Sequence, residues 1–237
     1  MAGFQVTTED QGTSGNPLTL TGGKHMRKAL IAAALVWLYG LVQAQSPPDA
    51  RKTWNDTYAA LAAKNEPFLP NPFLTKMVEG KKPGKALDIG MGQGRNALML
   101  AERGWDVTGF DISDVAIDQA KAQAQKRGLK VNAVVADGNR FDYGTDRYDL
   151  IAGIYVHGEV TDHSQDLVRA LKRGGMLVVE GSHREAAPFG YEPNELLRAF
   201  VGRLTVMYYE DAIGQPDGTW KVPGKDLRFV RFVGRKE

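Results

Sequence analysis

The sequence predicts an α/β fold in which a mostly parallel sheet is covered by helices on both faces and closes in an antiparallel hairpin. Three observations lead there. Short apolar stretches alternate with longer segments of helical periodicity from about residue 49 to the end. The first of these stretches runs into the glycine-rich turn "DIGMGQGRNA" (88–97), which opens a helix. The last two, "RLTVMYYEDA" (203–212) and "DLRFVRFVGR" (226–235), are separated only by a polar, glycine-bearing loop.

The elements follow in order. "KALDIG" (85–90) is a strand, and "RNALMLAER" (95–103) places Ala97, Leu98, Leu100 and Ala101 on one helical face before Gly104 ends it. "DVTGFDI" (106–112) is the second strand, and Ser113 or Asp114 caps a helix that reaches about Lys126. "VNAVVAD" (131–137) and "YDLIAGIYV" (148–156) are the third and fourth strands. A helix over His163–Leu171 and the turn "KRGG" (172–175) lead to the fifth, "MLVVEGS" (176–182), and "PNELLRAF" (193–200) is a further helix. Upstream, "WNDTYAALAAKNEPFLPNPFL" (54–74) predicts a helix followed by a proline-rich cover.

The organisation is that of one domain, 49–237, behind two other segments. Residues 1–25 are polar and rich in glycine and threonine, and they read as an added leader that precedes a second methionine, Met26. Residues 26–48 have a basic start, an unbroken apolar run from Ala29 to Val42, then small and polar residues ending in Pro47 and Pro48. That order matches a secretory signal with cleavage after Ala44, or a membrane tether; the alternative is a buried first helix. Export would separate the chain from an intracellular cofactor.

Composition removes several classes. With no cysteine, thiolate metal sites, cysteine nucleophiles and disulfides are excluded. A net charge of +2 gives no electrostatic footprint for nucleic acid. His157, Glu159 and His163 lie close together, but a spacing of two and then four fits no familiar zinc signature, so no metal is expected.

The glycine turn asks for a ligand that touches main chain. Gly90, Gly92 and Gly94 remove side chains where the helix offers unpaired amides, and Asp111 stands at the tip of the second strand, where a carboxylate can accept from a ribose diol. A nucleoside-containing cofactor fits. The spacing is G-x-G-x-G rather than G-x-G-x-x-G, and Asp88, two positions before the first glycine, would oppose a pyrophosphate while favouring a cationic ligand.

Residues 86–113, with Asp137 and Gly138 after the third strand and "GRNA" (94–97) after the turn, resemble the cofactor motifs of class I S-adenosylmethionine-dependent methyltransferases, in particular bacterial enzymes acting on small molecules. The resemblance covers roughly residues 50 to 237. It implies a three-layer Rossmann-like sandwich with a seven-stranded sheet whose last strand is reversed. It further implies that Asp88, Gly90, Met91, Gly92 and Gly94 surround the amino-acid moiety of S-adenosylmethionine, and that Asp111 holds the ribose. Ile112 would pack on the adenine, Asp137 accept from its amino group, and Gly138 donate an amide to a ring nitrogen. Asn96 is either a cofactor ligand or a helix cap. Ile154, at the end of the fourth strand, and Tyr58 join the cofactor wall, and Trp54, Tyr58 and Phe73 either form a lid or pin their segment to the sheet.

Methyl transfer needs mainly positioning, with a base where the acceptor must lose a proton. Tyr155 and His157, just beyond the fourth strand, are the candidate catalytic pair, with His183 and Arg184 next and Tyr208 or Tyr209 in the acceptor pocket. The expected acceptor is a small molecule, with neither nucleic acid nor protein favoured. A nicotinamide-dependent oxidoreductase and a nucleoside-binding domain without catalysis are the competing classes. A cofactor hollow plugged by the chain's own side chains, or one holding a diphosphate bridge, would end the case for this reading.

Overall fold

The computed structural model describes residues 47–64, 69–215 and 226–237. The expected leader (1–25) and almost all of the signal-like segment (26–48) lie outside the described residues, as does the loop between the last two strands. Among the described residues no helix is long and apolar enough to cross a membrane.

In chain order the elements are α1 (Pro47–Ala63), α2 (Pro72–Val78), β1 (Lys85–Ile89), α3 (Arg95–Glu102), β2 (Asp106–Asp111), α4 (Asp114–Lys126), β3 (Val131–Val135), a 3-10 turn (Gly138–Arg140) and β4 (Tyr148–Ile154). Then come α5 (His157–Asp162), α6 (Ser164–Ala170), β5 (Leu171–Ser182), α7 (Glu195–Phe200), β6 (Thr205–Gly214) and β7 (Leu227–Arg235). The sheet order is β3-β2-β1-β4-β5-β7-β6. The first five strands are parallel, and β7 inserts antiparallel between β5 and β6. This is the seven-stranded sheet with a reversed last strand, its closing hairpin at one edge.

Period-two alternation builds two cores from the same strands. Ala86, Val107, Leu150, Ala152 and Val178 pack with Leu74 of α2, Leu100 of α3 and Ile117 of α4 on one face. Leu87, Ile89, Ile151, Leu177 and Val179 face the other way, against Val160, Leu167, Leu196 and Phe200 of α5, α6 and α7.

Two elements differ from the sequence reading. The stretch at 155–163 contains α5, a short helix between the fourth strand and α6. "KRGG" lies within β5, because the strand begins at Leu171; pairing to β4 jumps from Leu171 to Met176 while β4 advances only from Tyr148 to Leu150, so the expected turn survives as a bulge in the ladder.

The upstream segment is tied down at both ends by polar contacts. Asn55 of α1 accepts from the Ser113 hydroxyl at 2.6 Å and donates to Asp114 at 2.6 Å, while Ser113 Oγ caps α4 by accepting from the Ala116 amide. Asn71, fully buried, caps α2 by accepting from the Leu74 amide at 2.8 Å and donates to Glu180 Oε1 at 2.7 Å. The Asn71 amide in turn donates to Asn96 Oδ1. Arg231 of β7 completes the chain by donating to Glu180 Oε2 at 2.6 Å, its guanidinium lying over the Phe73 ring.

Replacing Asn71 with alanine removes a cap and leaves a buried Glu180 oxygen without its donor. Urea unfolding of Asn71→Ala should show a loss of about 2–3 kcal/mol; a loss within experimental error would show that the strap is not anchored there.

Candidate functional site

The site is built where β1 and β2 end. The chain leaves Ile89 through a left-handed Gly90, and Met91 donates its amide back to Phe110 O at 2.8 Å, which holds the loop against the second strand. Gly92 is left-handed (φ 53°), and a methyl group there would lie 2.6 Å from the Tyr58 hydroxyl oxygen. The turn ends at Gly94, also left-handed, which serves as the N-cap of α3 and packs on Ala120 of α4.

Asp111 fastens this loop. Its Oδ2 accepts from the Gly92 amide at 2.9 Å, its Oδ1 from the Ser113 amide at 2.9 Å, and the Tyr58 hydroxyl donates to the same carboxyl. Burial still raises its pKa to about 6 against those donors. Asp88 is buried more deeply, at 1 % exposure, and burial pushes it up to about 7 although Arg95 and the Ala97 amide favour its charged form; Asp111 adds to the rise. Asp88 Oδ2 has no hydrogen-bond partner among the described residues.

Two further acidic groups close the ring. Asp137 caps the 3-10 turn by accepting from the Asn139 amide at 2.9 Å. Glu159 of α5 reaches across so that its Oε2 rests against Gly138, in the space a Cβ at that position would need. Burial, then Asp137, Asp111 and Asp162, push Glu159 up to about 7.

The residues read from the sequence therefore divide. Asp88, Gly90, Gly92, Gly94, Asp111, Asp137 and Gly138 lie at the carboxyl ends of the neighbouring strands β1, β2 and β3, with Ile112 half-buried beside Asp111 and Ile154 buried at the end of β4. The Met91 side chain turns into the core over Gly109, which leaves its main chain to face the loop. The Asn96 side chain serves the Asn71 amide, which makes it a docking point for the upstream strap rather than a free ligand. The Tyr58 hydroxyl bonds to Asp111, whereas Phe73 packs on Tyr208 and Arg231 and pins its segment. Trp54 packs beside Tyr58.

On the acceptor side, Tyr155 follows β4 in a left-handed conformation (φ 60°), a strained setting for an aromatic residue, and its amide donates to Glu180 O at 2.7 Å. The backbone of His157 opens α5; its side chain lies outside the described residues. His183 is buried with Nε2 directed toward Asp211 at 3.8 Å, and Arg184 pairs with Glu192 at 2.8 Å on the surface. Tyr208 packs on Phe73 while Tyr209 packs into the opposite core, so the two face apart.

The sequence reading named Tyr58 but gave Glu159 no part in the cofactor site. Its signal was faint: one acid five residues past the fourth strand, on a helix too short to show periodicity. Tyr58 and Glu159 take the side-chain space beside Gly92 and Gly138 with polar tips carried on rotatable side chains, while the apolar Val156 takes that beside Gly90.

Comparison with known proteins agrees with this geometry. Residues 86–175 match the family model described as Methyltransferase domain. The chain is 35% identical over 126 residues to a 2-heptyl-1-hydroxyquinolin-4(1H)-one methyltransferase of Mycobacteroides abscessus, covering 50% of this chain and 56% of that protein. It is 32% identical over 136 residues to a ubiquinone biosynthesis O-methyltransferase of Coxiella burnetii, covering 56% of this chain and 54% of the relative. The chain thus spans little more than half the length of these curated relatives. Among solved structures, TehB from Haemophilus influenzae superposes with a TM-score of 0.59 at 22% identity, over 69% of this chain and 61% of that one, a likeness of fold. Residues 86–175 are thus similar to a methyltransferase domain, and the seven-stranded sheet with its reversed last strand is the fold shared with the solved structures.

Proposed function

We propose that the protein transfers a methyl group from S-adenosylmethionine to a small-molecule acceptor. The observation that carries this reading is the set of Asp88, Asp111 and Asp137 around a glycine loop, with Asp88 Oδ2 buried and lacking a partner among the described residues. Such a set suits a ligand that brings positive charge and hydrogen-bond donors. The donor's sulfonium and ammonium supply the first, and its ribose hydroxyls and adenine amino group the second.

The same set argues against a dinucleotide. A pyrophosphate at this loop would face Asp88 within a low-dielectric wall, where like charges repel strongly. The quinolone and ubiquinone methyltransferases support a small-molecule acceptor for this chain as well.

In this reading Asp88 and the loop amides hold the amino-acid end, Asp111 the ribose hydroxyls, and Asp137 with the Gly138 amide the adenine edge. When bound, the cofactor supplies a methyl group already activated for displacement. The chain's own work is then to orient and to exclude water. Tyr58 covers the loop from α1, and Tyr155, held by its strained backbone, forms the acceptor-side wall beyond β4. His157 stands at the start of α5 as the residue suited to take a proton from the acceptor.

Titration calorimetry should show S-adenosylmethionine and S-adenosylhomocysteine binding at about −8 kcal/mol, corresponding to micromolar affinity, and no comparable heat with NAD. Asp111→Ala should weaken that binding by about 1–3 kcal/mol through the lost charge-assisted hydrogen bonds. An unaltered affinity would remove Asp111 from the site.

The buried acids also set a pH dependence for the ligand-free chain. Asp88 and Asp111 sit at about 7 and 6 when folded against 3.8 as ordinary carboxyls, so the native state binds more protons than the unfolded one in that window. Their contribution to stability is full below about pH 4 and is lost as pH rises through 6 to 7. Urea midpoints should therefore rise from pH 8 to pH 5.5, by on the order of 1 kcal/mol in stability. Asp88→Asn, which mimics the protonated acid, should flatten the trend; a trend of equal slope in that variant would place the titrating group elsewhere.

A further inference from the structure

The adenine end of the hollow holds a group for which methyl transfer has no use. Glu159 Oε2 is shut away from solvent and has no hydrogen-bond partner among the described residues. Its nearest approach is to the Gly138 main chain, where the absence of a side chain makes room for it. The groups that face it are Asp111 at the end of β2, Asp137 after β3, Tyr143 from the loop before β4, and Asp162 on its own helix. The Tyr143 hydroxyl is likewise buried without a partner among the described residues. Three carboxyls and a phenol surround Glu159, and among the described residues no cation acts on it.

This position cannot be shared. If Asp111 takes the ribose and Asp137 with Gly138 takes the adenine, the nucleoside lies across the space where the Glu159 carboxyl now rests. We propose that the Glu159 side chain is an internal plug of the nucleoside seat, filling the space on Gly138 that an adenosyl group would occupy and swinging out when the cofactor enters. The inference rests on the methyl-donor reading above.

The plug stays seated as the protonated acid. Burial and the neighbouring carboxyls hold Glu159 at about 7, against 4.5 for an ordinary glutamate. Turned out to water, it loses its proton to the buffer, its O–H bond pair remaining on the carboxylate. Displacement therefore becomes easier as pH rises toward 7 and is opposed below it. Only the side chain must rotate. The adjacent Val160 is fully buried against Gly153, so α5 keeps its seat on the sheet while Glu159 moves. The left-handed Tyr155 sets where α5 begins, and the Tyr191 hydroxyl, which donates to Val156 O, holds that entry.

The test is calorimetry of the full chain with S-adenosylhomocysteine between pH 5.5 and 8, in two buffers of different ionisation enthalpy. Wild-type affinity should rise with pH to about 7, with net proton release near pH 6. Removing the plug in Glu159→Ala should tighten binding about tenfold at pH 6, because the open state no longer has to be selected, and should reduce the proton release to that of the remaining acids. Glu159→Gln keeps the shape and the neutral state. It should bind with the wild type's acid-side affinity, lack Glu159's share of the proton release, and guard against a folding defect in the alanine variant. Equal or weaker binding by Glu159→Ala, with Glu159→Gln retaining the wild-type proton release, would overturn the plug and leave the methyl-donor reading standing. Failure of wild type and both variants to bind S-adenosylhomocysteine or S-adenosylmethionine would overturn both.

Discussion

The structure depends on one electrostatic constraint: Asp88, Asp111 and Glu159 are buried carboxyls close enough that Asp111 acts on both of the others, with Asp137 beside Glu159. Taking one carboxylate out of water is costly, and bringing three together is more so. The fold meets this in two ways. It gives Asp111 amide donors from Gly92 and Ser113, and it leaves Asp88 and Glu159 to be protonated. A third means, a cationic ligand, would serve Asp88 and Asp111 once Glu159 has turned out. A protein selected only for stability would place apolar residues here, so the acids make sense as parts of a binding surface.

The scaffold spends other polar groups on keeping that surface in place. Asn71, Asn96, Glu180 and Arg231 form a buried chain that runs from the upstream strap through α3 and β5 to β7. Each member is satisfied by the next, which distinguishes this chain from the acids around the glycine loop. Asn55 does the same for α1 by joining Ser113 and Asp114 at the start of α4. Tyr58, a turn further along α1, is thereby brought over Asp111. One set of polar residues is paired and rigid, the other underpaired and available.

Much of this was legible in the sequence, for identifiable reasons. The parallel strands are continuous apolar runs, the glycine loop demands a close approach, and the carboxylate at the tip of β2 follows from strand length; all three are local signals. The hairpin was legible because its two segments are adjacent in the chain. What escaped depends on pairings distant in sequence. Asn96 could be read as a cap or a ligand, and only Asn71, brought to it by the return of the strap, decides its role. Met91 lies in the right loop, but the empty face of Gly109 draws its side chain inward. Glu159 needed α5, a helix of six residues whose existence rests on Val160 packing under Gly153 rather than on periodicity.

The partial filling of the hollow is best understood through the same charge argument. The atoms that take the space beside Gly92 and Gly138 are the Tyr58 hydroxyl, which donates to Asp111, and a Glu159 oxygen with no partner among the described residues, while a Val156 methyl lies against Gly90. The first imitates a donor that a ribose would supply. The second is itself an acid among acids, stable there only while protonated. A seat closed by one group that copies the ligand and one that is repelled once ionised is closed weakly, and a ligand carrying positive charge into it would reverse the sign of the interaction with every acid it meets.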